Sequence, residues 1–159
     1  MATQPSTTRP ILIGGLIAGA LDITYAWVFS YIRSGRKPLF ILQSVASGAL
    51  GRSAFEGGAR TAALGLVFHF LIALIAATVY YFASRVLRFM VTHAVICGIL
   101  YGLCVYLIMN CVVLRLSAIH ATVYPWSYPK SVLIGGLLIH MFGIGLPIAL
   151  AVRWGSRER

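Results

Sequence analysis

Three side chains in this chain could hold a charge or a proton inside an otherwise apolar sequence: Asp22, His69 and His140. A carboxylate and an imidazole brought together out of water form a proton-responsive pair, because burial penalises both charged forms while mutual pairing offsets that penalty. Two imidazoles on facing helices can also ligate a b-type haem, and two imidazoles with one carboxylate can hold a divalent metal. A fourth use is structural: a hydrogen-bonded polar patch that fixes helix register.

Composition sets the elements that must position these residues. The chain has 159 residues, 60% hydrophobic and only 10% charged, with a mean hydropathy of +0.90. An ordinary soluble domain is roughly half apolar and about a quarter charged. A disordered chain needs low hydrophobicity, and a disulfide-stapled secreted domain needs far more than three Cys. An integral membrane protein remains. Four apolar runs, 11–32, 61–84, 89–114 and 131–152, each supply the ~20 residues that cross ~30 Å of hydrocarbon. Backbone amides in lipid must be bonded within their own segment, so the runs are helices. The expected fold is all-α: a single polytopic membrane domain over 1–159 with four transmembrane helices.

The first loop adds a short helix. Residues 38–51 form an apolar stretch too short to cross, with Pro38 suited to the first helical position. It reads as a re-entrant or interfacial half-helix, which Gly57-Gly58 separates from the second span. Glu56 lies four residues from both Arg52 and Arg60 and could pair with either on a continuing helix. The third loop carries Tyr124-Pro-Trp-Ser-Tyr-Pro129, an irregular aromatic cap of the kind found at membrane interfaces. The first run continues in apolar character past Asp22 to Tyr31, longer than the core of a removed signal peptide.

Depth and face bring the three polar residues together. At 1.5 Å per helical residue, Asp22, His69 and His140 fall on the same side of the midplane with depths agreeing within ~5 Å. Asp22 shares its helix face with Gly15, Ala18, Gly19 and Ala26. His69 aligns with Ala62, Gly65, Ala73 and Ala76, and His140 with Gly136, Gly143 and Pro147. Small-residue faces are the ones that meet other helices in membranes, so all three side chains are expected to point into the bundle. Asp22 is the only acid in any span, and a charge at the bilayer centre costs roughly 2.5–3.5 kcal/mol on insertion scales. A partner is expected, and the two imidazoles are the candidates.

Other features carry less. Cys97, Cys104 and Cys111 recur every seven residues on one face of the third span, about 10 Å apart, which forbids a disulfide or shared metal within the helix. They read as a packing stripe. Gly15 with Gly19, and Gly98 with Gly102, give the spacing that permits close helix approach, within the bundle or between copies. Leu12-Ile-Gly-Gly-Leu16 recurs as Leu133-Ile-Gly-Gly-Leu137, a pentad of the kind common in packed membrane helices. His93 and His120 read as interfacial or solvated residues. No phosphate-binding glycine loop, paired-Cys motif, His-Glu zinc signature or nucleophile elbow occurs, so no soluble-enzyme signature assigns a catalytic residue, and no cofactor or resident metal is expected. His-based catalysis inside the membrane stays open, with a non-enzyme the leading expectation.

The net charge of +10, from thirteen Lys and Arg against three acids, does not imply nucleic acid. The basic residues sit at the ends of apolar runs, where they anchor helices at anionic headgroups and bias topology. An even number of spans puts both termini on one side. The termini and short second loop carry Arg9, Arg85, Arg88, Arg153, Arg157 and Arg159; the opposite side carries Arg33, Arg36, Lys37, Arg52, Arg60, Arg115 and Lys130. The dense charge on the short second loop and C-terminal tail tilts the expectation to cytoplasmic termini.

Several segments resemble a family of uncharacterised bacterial four-span inner-membrane proteins. These are Gly19-Ala-Leu-Asp-Ile-Thr-Tyr-Ala26, Ile41-Leu-Gln-Ser-Val-Ala-Ser-Gly48, Ala54-Phe-Glu-Gly-Gly58, Leu64-Gly-Leu-Val-Phe-His-Phe70 and His140-Met-Phe-Gly-Ile-Gly-Leu-Pro147. The resemblance covers most of the chain and implies a bacterial inner membrane, with no activity attached. Arg115 stands where the family pattern leads one to expect a proline after the third span.

The leading expectation is a small membrane protein that binds or passes a small solute or proton through Asp22, His69 and His140. Its expected partners are membrane lipids, with further copies of the chain or a larger membrane complex. The alternative is a non-transporting scaffold or accessory subunit whose polar layer only sets packing, and the third reading is a b-haem electron carrier.

Overall fold

The computed structural model describes residues 8–157; Glu158 and Arg159 lie outside them. Among the described residues the fold is all-helical. Four helices are long and apolar enough to cross a membrane: a first span Thr8–Ser34, a second Gly58–Val86, a third Ala94–Leu116 and a fourth Lys130–Ser156. The loop helix Pro38–Leu50 stands between the first two, followed by a tight 3₁₀ turn Gly51–Phe55.

Local sequence explains the ends. Lys37 is extended and Pro38 opens the loop helix with a φ already suited to it. Gly51 closes that helix at φ +62°, and Gly58 opens the second span at φ +57°, conformations that cost a side-chain-bearing residue but not glycine. The third span begins later than the apolar run at 89 suggests. Phe89–Thr92 forms a separate single turn, and His93 breaks the ladder at φ −105°, ψ 40° before Ala94 resumes it.

The first span packs between the second and the fourth, and the third packs along the fourth. Small residues set these approaches. A Cβ on Gly15 or Gly19 would strike Leu74 or Phe70 of the second span, and one on Gly14 would meet Ile148 and Ala151 of the fourth. Gly98 and Gly102 lie against Gly145, Ala149 and the His140 carbonyl. Both glycine pairs are therefore spent inside the bundle. The second and third spans are joined mainly by side chains: Tyr101 donates to the Ala76 carbonyl at 2.7 Å, and its ring meets Tyr80 edge-on at 5.0 Å.

The loop helix lies along the second span, with Gln43, Ala46 and Ser47 buried. Gly65 admits the Leu42 carbonyl so closely that a Cβ there would collide with it. Gly65, on the small-residue face shared with His69, thus serves the loop helix. Gln43 Nε2 donates to the Gly58 carbonyl at 3.2 Å and Thr61 to the Ala54 carbonyl at 2.6 Å, fastening the returning chain. The third loop docks on the same end, Ala118 N–H donating to the Gly48 carbonyl at 2.8 Å. Arg115 organises that loop: its guanidinium stacks on Tyr124 at 3.6 Å and donates to the Thr122 carbonyl at 3.1 Å.

The three cysteines are free; Cys104 is exposed and Cys111 half-buried, while half-buried Cys97 packs against the hydrophobic core. Glu56, on the turn after the loop helix, is exposed. So are His93 and His120.

Candidate functional site

Asp22, His69 and His140, each half-buried, line one partly open cavity of about 60 Å³, contributed by the first, second and fourth spans. Val105 and Met109 of the third span and Ile72 and Ile144 complete its apolar wall. Ala18, Gly19, Ala73 and Ala76 leave the space by having no bulk of their own. A volume of this size admits a few water molecules, each of which needs at least ~10–15 Å³. It is far below the ~300–1,000 Å³ typical of sites for drug-sized ligands.

The helices are distorted where they meet the cavity. The third span widens to π-helical turns over Met109–Val113, and the fourth over Ile139–Gly145, the segment that carries His140. Such bulges recur at functional sites because they rotate side chains out of the regular helical register.

Hydrogen bonds fix the state of each imidazole. His69 Nε2 lies 2.8 Å from the Gly19 carbonyl of the first span, and His140 Nδ1 lies 2.9 Å from the Gly136 carbonyl one turn back in its own helix. A carbonyl only accepts, so those nitrogens carry hydrogen. His69 Nδ1 and His140 Nε2 are left as the atoms able to take a proton. The Tyr106 ring meets the His140 ring edge-on at 5.2 Å. Asp22 makes no hydrogen bond or ion pair with either imidazole among the described residues, although all three side chains line the same space. The three groups are gathered around one small space, not clasped to each other.

This arrangement bears on the ligand chemistries. No group of three His, Cys, Asp or Glu side chains is close enough to hold a metal ion among the described residues. A b-haem does not fit: its macrocycle needs several times the cavity volume, and His69 already commits Nε2 to Gly19.

Sequence reasoning did not single out Tyr25 and Tyr106, whose buried hydroxyls have no protein partner. Tyr25 stands three residues after Asp22 on the same helix, a spacing that could have drawn attention to it. Tyr106 carries no such signal, since its approach to His140 depends on how two spans pack. Comparison of the chain with protein-family models, curated proteins and solved structures finds no match.

Proposed function

We propose that the chain is a multi-pass protein of the bacterial inner membrane, with cytoplasmic termini, whose Asp22/His69/His140 cavity binds a proton in exchange with water. One observation carries this reading: an intramembrane carboxylate without a hydrogen-bonded partner shares a water-sized cavity with two imidazoles whose free nitrogens can each accept a proton. Intramembrane ionisable residues are costly enough that a role for them is the default expectation. The cavity volume favours a proton over an organic solute. Basic residues on the second loop support the orientation, and the resemblance described above supports the membrane assigned. The apolar outer faces of the spans take membrane lipids as their partners, and a conducting form calls for more than one copy because one bundle encloses so little water.

The test is an infrared difference spectrum between acidic and alkaline pH, taken on the full chain in lipid. A protonated-carboxyl band that Asp22→Asn removes, without loss of helical content, is the expected result. No Asp22-dependent band across the accessible pH range would refute the proposal. The scaffold reading draws on the bond from His69 to Gly19, which ties two spans together. It gains if Asp22→Ala and His69→Ala fail to fold while Asp22→Asn changes no proton signal.

A further inference from the structure

The buried hydroxyls of the bundle divide by side. Toward the chain termini, Tyr80 donates to the Met90 carbonyl at 3.0 Å and Tyr101 to the Ala76 carbonyl at 2.7 Å, so both are satisfied. Below the cavity on that side lie Ala77, Ile148 and Val152, each 0–1% exposed. This is a closed apolar plug with its polar atoms spoken for.

The opposite side, toward the first and third loops, is different. Every buried side-chain donor without a protein partner among the described residues lies there: Tyr25 Oη, Trp27 Nε1, Tyr106 Oη and Arg115 Nε. Orphaned buried donors are rare, because a buried donor without a partner is costly unless water meets it. Two of them stand next to residues that line the cavity: the Tyr106 ring meets the His140 ring at 5.2 Å, and Tyr25 follows Asp22 by three residues on the first span. The Tyr25 hydroxyl fills the notch left by Gly135, where a Cβ would collide with it, and the Tyr106 ring lies against Gly136. Gly136 in turn accepts the His140 hydrogen bond at 2.9 Å. The two tyrosines thus flank adjacent residues of the fourth span, one turn from His140 and one turn from Asp22.

Resting on the proton-binding reading above, we infer that Tyr25 and Tyr106 are the water-bound relay through which the cavity exchanges protons, and that exchange runs only to the first- and third-loop side. A proton arriving at that side passes along water and hydroxyl oxygens, each accepting one proton as it releases another, and ends on the Asp22 carboxylate or a free imidazole nitrogen. The groups facing Asp22 are Tyr25 on its own span, His69 from the second and His140 from the fourth; the third presents Val105 and Met109, which do not titrate. Tyr25 and Tyr106 act in this scheme as relay hydroxyls, connected to Asp22 and the imidazoles through water.

The test uses the full chain held in one orientation in phosphatidylcholine–phosphatidylglycerol vesicles, with the Asp22 carboxyl band followed in time after a pH jump. A jump on the first- and third-loop side is expected to protonate Asp22 promptly, and a jump on the terminus side only after the vesicle interior equilibrates. Tyr25→Phe and Tyr106→Phe are expected to slow that step roughly tenfold or more while leaving the equilibrium band amplitude unchanged. Gly135→Ala, which intrudes on the Tyr25 hydroxyl, is expected to do the same. Equal rates from both sides in the unmodified chain would overturn the inference, as would wild-type rates in both tyrosine variants. Absence of any Asp22-dependent band would instead remove the underlying proton-binding reading, so the two failures are distinguishable.

Discussion

His69 of the second span donates through Nε2 to the carbonyl of Gly19 in the first, 2.8 Å away and three residues before Asp22. This side chain is therefore both a wall of the cavity and a tie between two spans. Interhelical hydrogen bonds in membranes average about 0.6 kcal/mol and reach about 1.7. His69→Leu keeps apolar bulk but loses the tie, and is expected to cost an amount in that range. Reversible unfolding in mixed micelles measures it; a variant as stable as the parent would show that the tie contributes nothing.

Glycines that look alike in sequence differ sharply in what surrounds them. A Cβ on Gly65 would run into the Leu42 carbonyl of the loop helix, and backbone cannot turn aside as a side-chain tip can. Gly48, in the loop helix itself, has nothing closer than the Ser117 Cβ at 3.9 Å. Gly65→Ala is expected to destabilise by about 1–3 kcal/mol through overpacking. Gly48→Ala is expected to be neutral or to gain up to about 1 kcal/mol from helix propensity. Thermal midpoints of the two variants should move in opposite directions or differ clearly.

The third loop is built around Arg115. Its guanidinium covers Tyr124 at 3.6 Å, Tyr124 stacks on Trp126 at 4.4 Å, and the Thr122 carbonyl takes one of its hydrogens. A cation over an aromatic face is worth about 0.5–2 kcal/mol depending on desolvation. Arg115→Ala is expected to loosen residues 117–129 with little effect on the spans. Hydrogen exchange resolved by peptide would show faster exchange there and unchanged protection in the four spans.

The spans and the half-helix were legible in the sequence because run length and flanking charge are local properties. The end of the loop helix was legible too, since Gly51 and Gly57-Gly58 are punctuation that any local reading finds. The onset of the third span was misplaced by five residues because Phe89–Thr92 is apolar enough to look continuous with it. The π-helical turns at Met109 and Ile139 leave no mark in hydrophobic periodicity, as apart from Asn110 and His140 their residues are apolar or small. Depth and face sufficed to bring Asp22, His69 and His140 to one cavity. They could not show that the imidazoles would bond to glycine carbonyls and leave Asp22 unclasped, because that depends on how far one span slides along another.

Tyr101 and Tyr80 govern the side of the bundle where small residues do not. The second and third spans meet there through the Tyr101 hydrogen bond to the Ala76 carbonyl at 2.7 Å and the edge-on ring contact at 5.0 Å. Tyr101→Phe keeps the ring contact and loses the hydrogen bond, an expected cost of about 0.5–1.5 kcal/mol. Tyr101→Leu loses both, and Tyr80→Leu removes the ring from the other side. Rings in contact couple energetically, so the double leucine variant should be less destabilised than the two single losses added together. Strict additivity across that cycle would mean the two rings stabilise the bundle independently, and that the second and third spans are joined by the hydrogen bond alone.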